Sequence, residues 1–566
     1  LKNQYDVIII GGGISGLTNA ALMSRLGFSC CIIEKEPNIG GYLQGFKRGD
    51  FIFDTSIHWL NQCGEQGMVT KIFKIIGSDF PKAHPMPNIH RFKSADTNYL
   101  LTNTPDELKL QLINDFPHEK KGIEKFFKVA VDIAKASKRF ANLMRTSETM
   151  NFFEKSIHNL KIFRAIIPMI PYALYSGNKG LEKGLNKFFT DKKLHRLFNS
   201  ESDLLSCLFP VAWAYNNDYQ LPILGGGQIY TRWLKYVIEY FENVIFLKSS
   251  AHKIIYENNH VTGVEFIKAG EKQRIFSKYV ISAIDIETLY KNLIDNKLLS
   301  SKFLNKFEMA ELYSSGATVS IALDCPACEI GIYDELISIT RHDIDRKEHN
   351  SGSPHTSALS IISPSERDKS LAPANKGTLN IYIPADIAFN NYWQTERDEN
   401  NNFIRGENYK KYKKEFAEIL IKRVENELNI DIKSHILFFD VSTPITYFRY
   451  TGNKNGSIMG TRPGKINMQL VVAHYKTPIK NLFVSGHWAE LGGGVPIAVQ
   501  SAMNASLLVL KNENRALFNL VKNYIDGKTS LDSITNSGFQ KPYDNSWSPT
   551  VNTDNFKEKS KVTHKI

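Results

Sequence analysis

The chain has 566 residues, 42% hydrophobic and 23% charged, enough to bury a large core in two interleaved domains and too much for a small stapled module. Its six cysteines are too few for a disulfide framework, which points to a reducing, cytoplasmic setting. A net charge of +12 suits nucleic acid, an anionic membrane surface or plain solubility and selects none of them. No run of about 18 apolar residues is present, so no spanning helix is expected.

Residues 5–10 read as a buried strand, 14–27 as a helix and 30–34 as a second strand, a compact βαβ unit. The neighbours Cys30 and Cys31 fall in that second strand, where their side chains point to opposite faces. The stretch YDVIIIGGG leads straight into the unit, so no signal peptide is expected, and a start at Leu1 predicts further residues upstream. Between strand and helix, GGGISG sets Gly11, Gly13 and Gly16 at G-x-G-x-x-G spacing, and Glu34 closes the next strand. Gly11 makes the tight turn, Gly13 lets backbone approach a diphosphate, and Gly16 lets helix and strand pack closely. The helix N-terminus turns partial positive charge toward the phosphates. Glu34 accepts from ribose hydroxyls and repels a 2′-phosphate. Ile14, Ser15 and Lys35 flank these positions and are assigned to the same ligand, as are the later pair Gly40 and Gly41 and, farther on, Ile254.

From about 105 to 200 the pattern is helical, apolar and basic, with IFRAIIPMIPYALY broken by Pro168 and Pro171. Lys155, Lys161, Arg164, Lys179, Lys183, Lys187, Lys192, Lys193 and Arg196 lie among Phe, Ile, Leu and Tyr, a mixture that suits either a helix lying on anionic lipid or an ordinary solvated basic face. Strands return over 243–285, and helix formers dominate 409–428. Cys325 and Cys328 make a lone C-x-x-C with no second pair and no histidine at zinc spacing, so no metal is expected. No nucleic-acid-binding module is recognisable. A last strand, glycine loop and helix span 481–510. There Gly492, Gly493 and Gly494 allow backbone to approach a flat ring, and a helix starting near Val495 aims its amides at it. Past about 530 the composition is polar and a mobile tail is expected.

Several phrases resemble the phytoene desaturase, carotenoid cis-trans isomerase and retinol saturase group of flavoproteins. FIFDTSIHW is similar to that group's F-x-F-D-T-G-x-H, with Ser56 in place of glycine. LPILGGGQIY and KYVISAIDIETLY, then TPITYFRYTG from Thr443 and NLFVSGHWAELGGGVPIAVQSA with Gly486, match further family segments. Tyr42 stands where relatives carry Arg, and His487 where many carry Asp or Gln. The resemblance implies FAD as cofactor and an α/β fold of amine-oxidase-like flavoprotein architecture, a Rossmann-type FAD-binding domain interleaved with an α+β substrate domain. The FAD domain is expected from 1–90, 220–300 and 470–512, the substrate domain from 91–219, carrying the helical insert, and 301–469, with a C-terminal helix and tail over 513–566.

The activity implied is desaturation, saturation or cis-trans isomerisation of a polyene or isoprenoid, with quinone or oxygen as electron acceptor. Flavin amine oxidation and a non-catalytic FAD-bearing membrane or interaction protein are the alternatives. His58 and Trp59, Tyr447 and Arg449, and Trp488 and Glu490 are candidates near the ring. Among them His58, Arg449 and Glu490 are the catalytic candidates: His58 can exchange a proton near neutral pH or serve as a hydrogen-bonded structural residue, Arg449 can hold an acceptor, a head group or a local carboxylate, and Glu490 can act as a base or stand as a solvated loop charge.

Overall fold

In the computed structural model, which describes residues 2–399 and 401–549, the run QYDVIII forms a strand, Gln4–Ile10, whose inner residues are buried on both faces. Such continuous apolar, β-branched runs suit the centre of a parallel sheet. It pairs in parallel with Cys30–Ile33 on one side and with the latter part of Glu271–Ser282 on the other. Val244–Phe246 adds to Cys30–Ile33, and Leu482–Val484 adds to Glu271–Ser282, all in parallel. Ser249–Glu257 and His260–Lys268 form an antiparallel meander on the first half of Glu271–Ser282. The 12-residue strand therefore serves both the parallel core and the meander. Helix Ile14–Arg25 stops two residues short of the expected end because Gly27 takes φ 94° and turns the chain.

The second seven-stranded sheet runs Ile436–Ser442, Ser315–Leu323, Gly377–Ala385, Leu359–Ile362, Leu336–Ile339, Asn88–Lys93 and Asn98–Thr102. Val319, Ile321, Leu379 and Ile381 point from one face into a core closed by helix Glu407–Leu428 through Phe416, Leu420 and Val424. A third core, built around Phe126, Phe127, Phe189 and Leu208, belongs to the helices between Pro105 and Tyr215.

The structure departs from the sequence-based expectation in the tail. Tyr543 is buried in the first core and its hydroxyl donates to Asp79 (2.6 Å), while the Ser78 amide donates to Asn545 Oδ1 (2.7 Å). Side-chain-to-backbone bonds, which composition does not register, hold residues 540–547 against helix Met68–Ile76 and its following turn. Residues 550–566 lie outside the described part of the chain.

Candidate functional site

Of the helices that begin without a side-chain cap and without an acidic residue in the first turn, two start at one place. They are Ile14–Arg25, with Gly13 at its N-cap, and Gly494–Glu513, with Gly493 at its N-cap. Their unpaired amides and dipoles favour negative charge. Both starts line one cleft, enclosing about 1430 Å³ with its open mouth. A buried polar staple fixes them side by side: Ser15 Oγ lies 2.6 Å from Ser485 Oγ, Asn19 Nδ2 donates to Ser485 Oγ (2.9 Å), and the Gly486 amide donates to Ser501 Oγ (2.7 Å).

Gly11, Gly13, Ile14, Ser15, Glu34, Lys35, Gly40, Gly41, Gly486, Gly494 and Val495 all line this cleft. A Cβ on Gly13 would meet nothing within 4 Å, so the backbone there opens directly into the space. Glu34 accepts from the Gly12 amide (2.6 Å) and the Glu36 amide (2.8 Å), and burial pushes its carboxyl above the ordinary glutamate range. Lys35 Nζ lies 3.5 Å from the carbonyl of Arg449, near the C-terminal end of helix Pro444–Thr451, where cations are favoured. The donor set fits a dinucleotide: a helix start at the glycine turn for a diphosphate, a carboxylate at the strand end for a ribose. At the far side Trp488 lines the cleft with a buried, unpartnered Nε1.

Other expected positions are placed differently. Gly16 is a packing residue: its Cβ would stand 1.9 Å from the Gly11 carbonyl oxygen. Gly493 backs onto Met459, 2.6 Å from where a Cβ would sit. Ile254 is corrected as a cofactor contact, since its side chain is wholly buried in the first core and Ser249, Ser250 and Ala251 line the cleft instead. His58 is corrected as a ring neighbour. It is Ile57 that reaches the cleft, while His58 Nδ1 lies 3.7 Å from Asp54 Oδ2. Asp54 in turn accepts from the Gly227 amide (3.1 Å), tying strand Phe51–Asp54 to the GGG turn at 225–227. Arg449 is exposed with its guanidinium over the Tyr450 ring, so it is Tyr450, Thr451, Gly452 and Asn453 of that segment that line the cleft. Tyr447 is buried and its hydroxyl donates to the Thr55 carbonyl (3.2 Å).

Glu490 is also corrected, for it does not line the cleft. Its Oε1 accepts from the Tyr475 hydroxyl (2.6 Å), and Asn504 Nδ2 lies 3.5 Å away. Burial, reinforced by Glu148, pushes its carboxyl up to about 7. A raised carboxyl is held protonated in the fold while its unfolded counterpart ionises, so stability falls as pH rises from the ordinary glutamate range through about 7. Glu490→Gln keeps an acceptor for Tyr475 and cannot ionise. Its melting temperature is expected to exceed that of the parent chain at pH 8 and to match it near pH 4.5. Equal melting temperatures at both pH values would discard the assignment.

Three features escaped sequence reasoning. Tyr42 lines the cleft and donates to the Ser457 carbonyl (2.6 Å), so it braces the loop. Asp285 accepts from the amides of Glu287 (2.9 Å), Thr288 (3.1 Å) and Lys454 (3.2 Å), joining the end of Glu271–Ser282 to the 451–456 loop; the phrase SAID was the available signal. The serine–asparagine staple carries no linear motif at all. His487 lines the cleft and burial pushes its imidazole down to about 4, so it is neutral at pH 7.

Residues 9–76 match a family model described as an NAD(P)-binding Rossmann-like domain. The chain is 22% identical to all-trans-retinol 13,14-reductase of Danio rerio, over 93% of this chain and 90% of that protein. It is 23% identical to chloroplastic prolycopene isomerase of Daucus carota, over 87% of this chain and 78% of that protein. Among solved structures, wild-type putrescine oxidase bound to putrescine aligns with a TM-score of 0.57 at 12% identity, over 90% of this chain and 100% of that one. The fold and the two-helix cleft define an α/β protein of amine-oxidase-like architecture with a Rossmann-type dinucleotide domain. Within that class the chain is similar along most of its length to proteins named all-trans-retinol 13,14-reductase and prolycopene isomerase.

Proposed function

We propose that the protein is an FAD-dependent oxidoreductase that desaturates, saturates or isomerises carbon–carbon bonds of a hydrophobic polyene or isoprenoid. The observation that carries this reading is the single cleft lined by both uncapped helix starts, in a chain whose relatives named for retinol and prolycopene align along most of its length. FAD, when bound, supplies hydride transfer or transient addition at the polyene. The chain's own residues do the rest. Amides at Gly13, Ile14 and Ser15 hold the diphosphate, and Glu34 takes the adenosine ribose hydroxyls and disfavours a 2′-phosphate. Amides at Gly494 and Val495 stabilise negative charge at the redox end of the cleft. Ile57, Leu43 and Trp488 make that end apolar and exclude water. Neutral His487 can exchange a hydrogen bond there but brings no positive charge.

A peripheral membrane position belongs to the same reading. Among the described residues no helix is long and apolar enough to cross a membrane. Helix Phe152–Ile166 nevertheless exposes an apolar stripe, and a bilayer-dissolved substrate would enter from such a surface.

The purified protein is expected to show oxidised-flavin bands. Anaerobic mixing with all-trans-retinol or a carotenoid then separates the chemistries. Bleaching of the flavin marks desaturation, reoxidation of pre-reduced flavin marks saturation, and a changed polyene spectrum without electron transfer marks isomerisation. No change with any polyene, together with peroxide formation from amines in air, would transfer the protein to amine oxidation.

A further inference from the structure

The spacing of Cys325 and Cys328 offers no histidine partner, but the fold supplies one from 110 positions away. Strand Ser315–Leu323 runs antiparallel to Ile436–Ser442, the edge strand of the second sheet, with a register shift at Ala322/Leu323. Just beyond the strand ends, the Asp324 amide donates to the His435 carbonyl (3.0 Å), so the two chains are held together there by backbone. His435 Nδ1 lies 2.9 Å from Asp324 Oδ1 and 3.5 Å from Cys325 Sγ. All three donor atoms fall within 4.8 Å of one another.

Without an ion the Asp324 carboxylate can accept from both the His435 Nδ1–H and the Cys325 thiol. The same three atoms are also placed to close on a cation. On a tetrahedral zinc ion, with Zn–S of about 2.3 Å and Zn–N or Zn–O of about 2.05 Å, sulfur and nitrogen donors stand about 3.6 Å apart and nitrogen and oxygen about 3.4 Å. The thiol–imidazole edge already has that length. The imidazole–carboxylate edge is shorter and opens by rotation of Asp324, whose side chain is 47% exposed. Cys328 is not one of the three; its thiol is directed to Glu366.

We propose that Asp324, Cys325 and His435 form a Zn²⁺ site whose fourth position is open to water. Mixed sulfur, nitrogen and oxygen donors select a borderline-soft divalent ion over calcium or magnesium. None of the three lines the nucleotide cleft, so the ion has a structural place: it clips the edge strand Ile436–Ser442 to its neighbour. That strand continues into helix Pro444–Thr451, whose end lines the cleft.

The test uses the full chain, stripped with chelator and titrated with Co²⁺ as a coloured stand-in for zinc. One equivalent is expected to give a near-ultraviolet thiolate-to-cobalt band and visible bands of tetrahedral intensity, both erased by Zn²⁺. Cys325→Ser should abolish the thiolate band, and His435→Ala, at a half-exposed position whose loss does not threaten folding, should weaken Zn²⁺ binding by more than about tenfold. Cys328→Ser should behave as the parent chain. Absence of the band in the parent chain, unchanged affinity in His435→Ala, or loss of the band in Cys328→Ser would each overturn the site.

Discussion

Gly13→Val is expected to give a folded protein that retains less than about a tenth of the flavin held by the parent chain. The residue has φ −72° and ψ 176°, a conformation that valine adopts readily, and a Cβ there meets no atom within 4 Å. The new Cβ therefore meets open space, and the substitution should leave the melting temperature within about 2 °C of the parent value. Its methyls project into the cleft where the diphosphate must approach the backbone, and bulk at that point is what the motif's glycine avoids. Gly16→Val is the contrasting case: with a Cβ 1.9 Å from the Gly11 oxygen it should fail by misfolding, not by selective loss of cofactor. Absorbance near 450 nm relative to 280 nm, read beside a thermal melt, separates the two. A Gly13→Val protein as yellow as the parent would mean that the glycine turn does not hold the nucleotide.

The second large effect concerns the helical insert. Phe152 and Phe153 are 79% and 78% exposed, and Ile157, Leu160, Phe163 and Leu174 are also exposed. Phe153, Ile157 and Leu160 recur at helical spacing and share one face, flanked by Lys155, Lys161 and Arg164. Solvated helices of a soluble domain do not keep such a stripe without a use for it. Replacing Phe153, Ile157 and Leu160 by serine removes three side chains whose burial is worth about 1.5–3 kcal/mol each. Even the lower figure predicts a loss of liposome affinity of about a thousandfold. All three positions face solvent, so the fold should be unaffected. Binding should also be stronger on phosphatidylserine-containing vesicles than on neutral ones and weaken with salt, at about 1 kcal/mol per basic residue near the surface. Flotation of the parent chain with neither vesicle type would remove the proposal.

What was legible in the sequence follows physical range. The glycine turn, its strand, its helix and Glu34 are consecutive, so spacing alone sets their geometry, and all but the packing residue Gly16 line the cleft. Glu490 and Ile254 were misplaced because orientation is decided by tertiary contacts. Glu490 is drawn to Tyr475 and Asn504, and Ile254 lies in a strand whose alternation sends it into the core. The residue next in chain can be the one that matters, as Ile57 is for His58. Cys325 and His435 lie just beyond the ends of two paired strands, 110 positions apart, and nothing short of the sheet register could have paired them. The polar stretch around Tyr543 reads as mobile because hydrogen bonds between side chains and backbone leave no hydrophobic signature.

The staple between Ser15 and Ser485 spans 470 positions, and it has a consequence for biosynthesis. At roughly 5–20 residues per second, a ribosome takes on the order of 20–90 s to deliver the second serine after the first. Through that interval the nascent chain holds half of its grip, and the strand Gln4–Ile10 also waits for Glu271–Ser282 to cover its open side. Nucleotide loading is therefore a late event in the life of each molecule, and chains released early should be colourless and prone to aggregation along that uncovered edge.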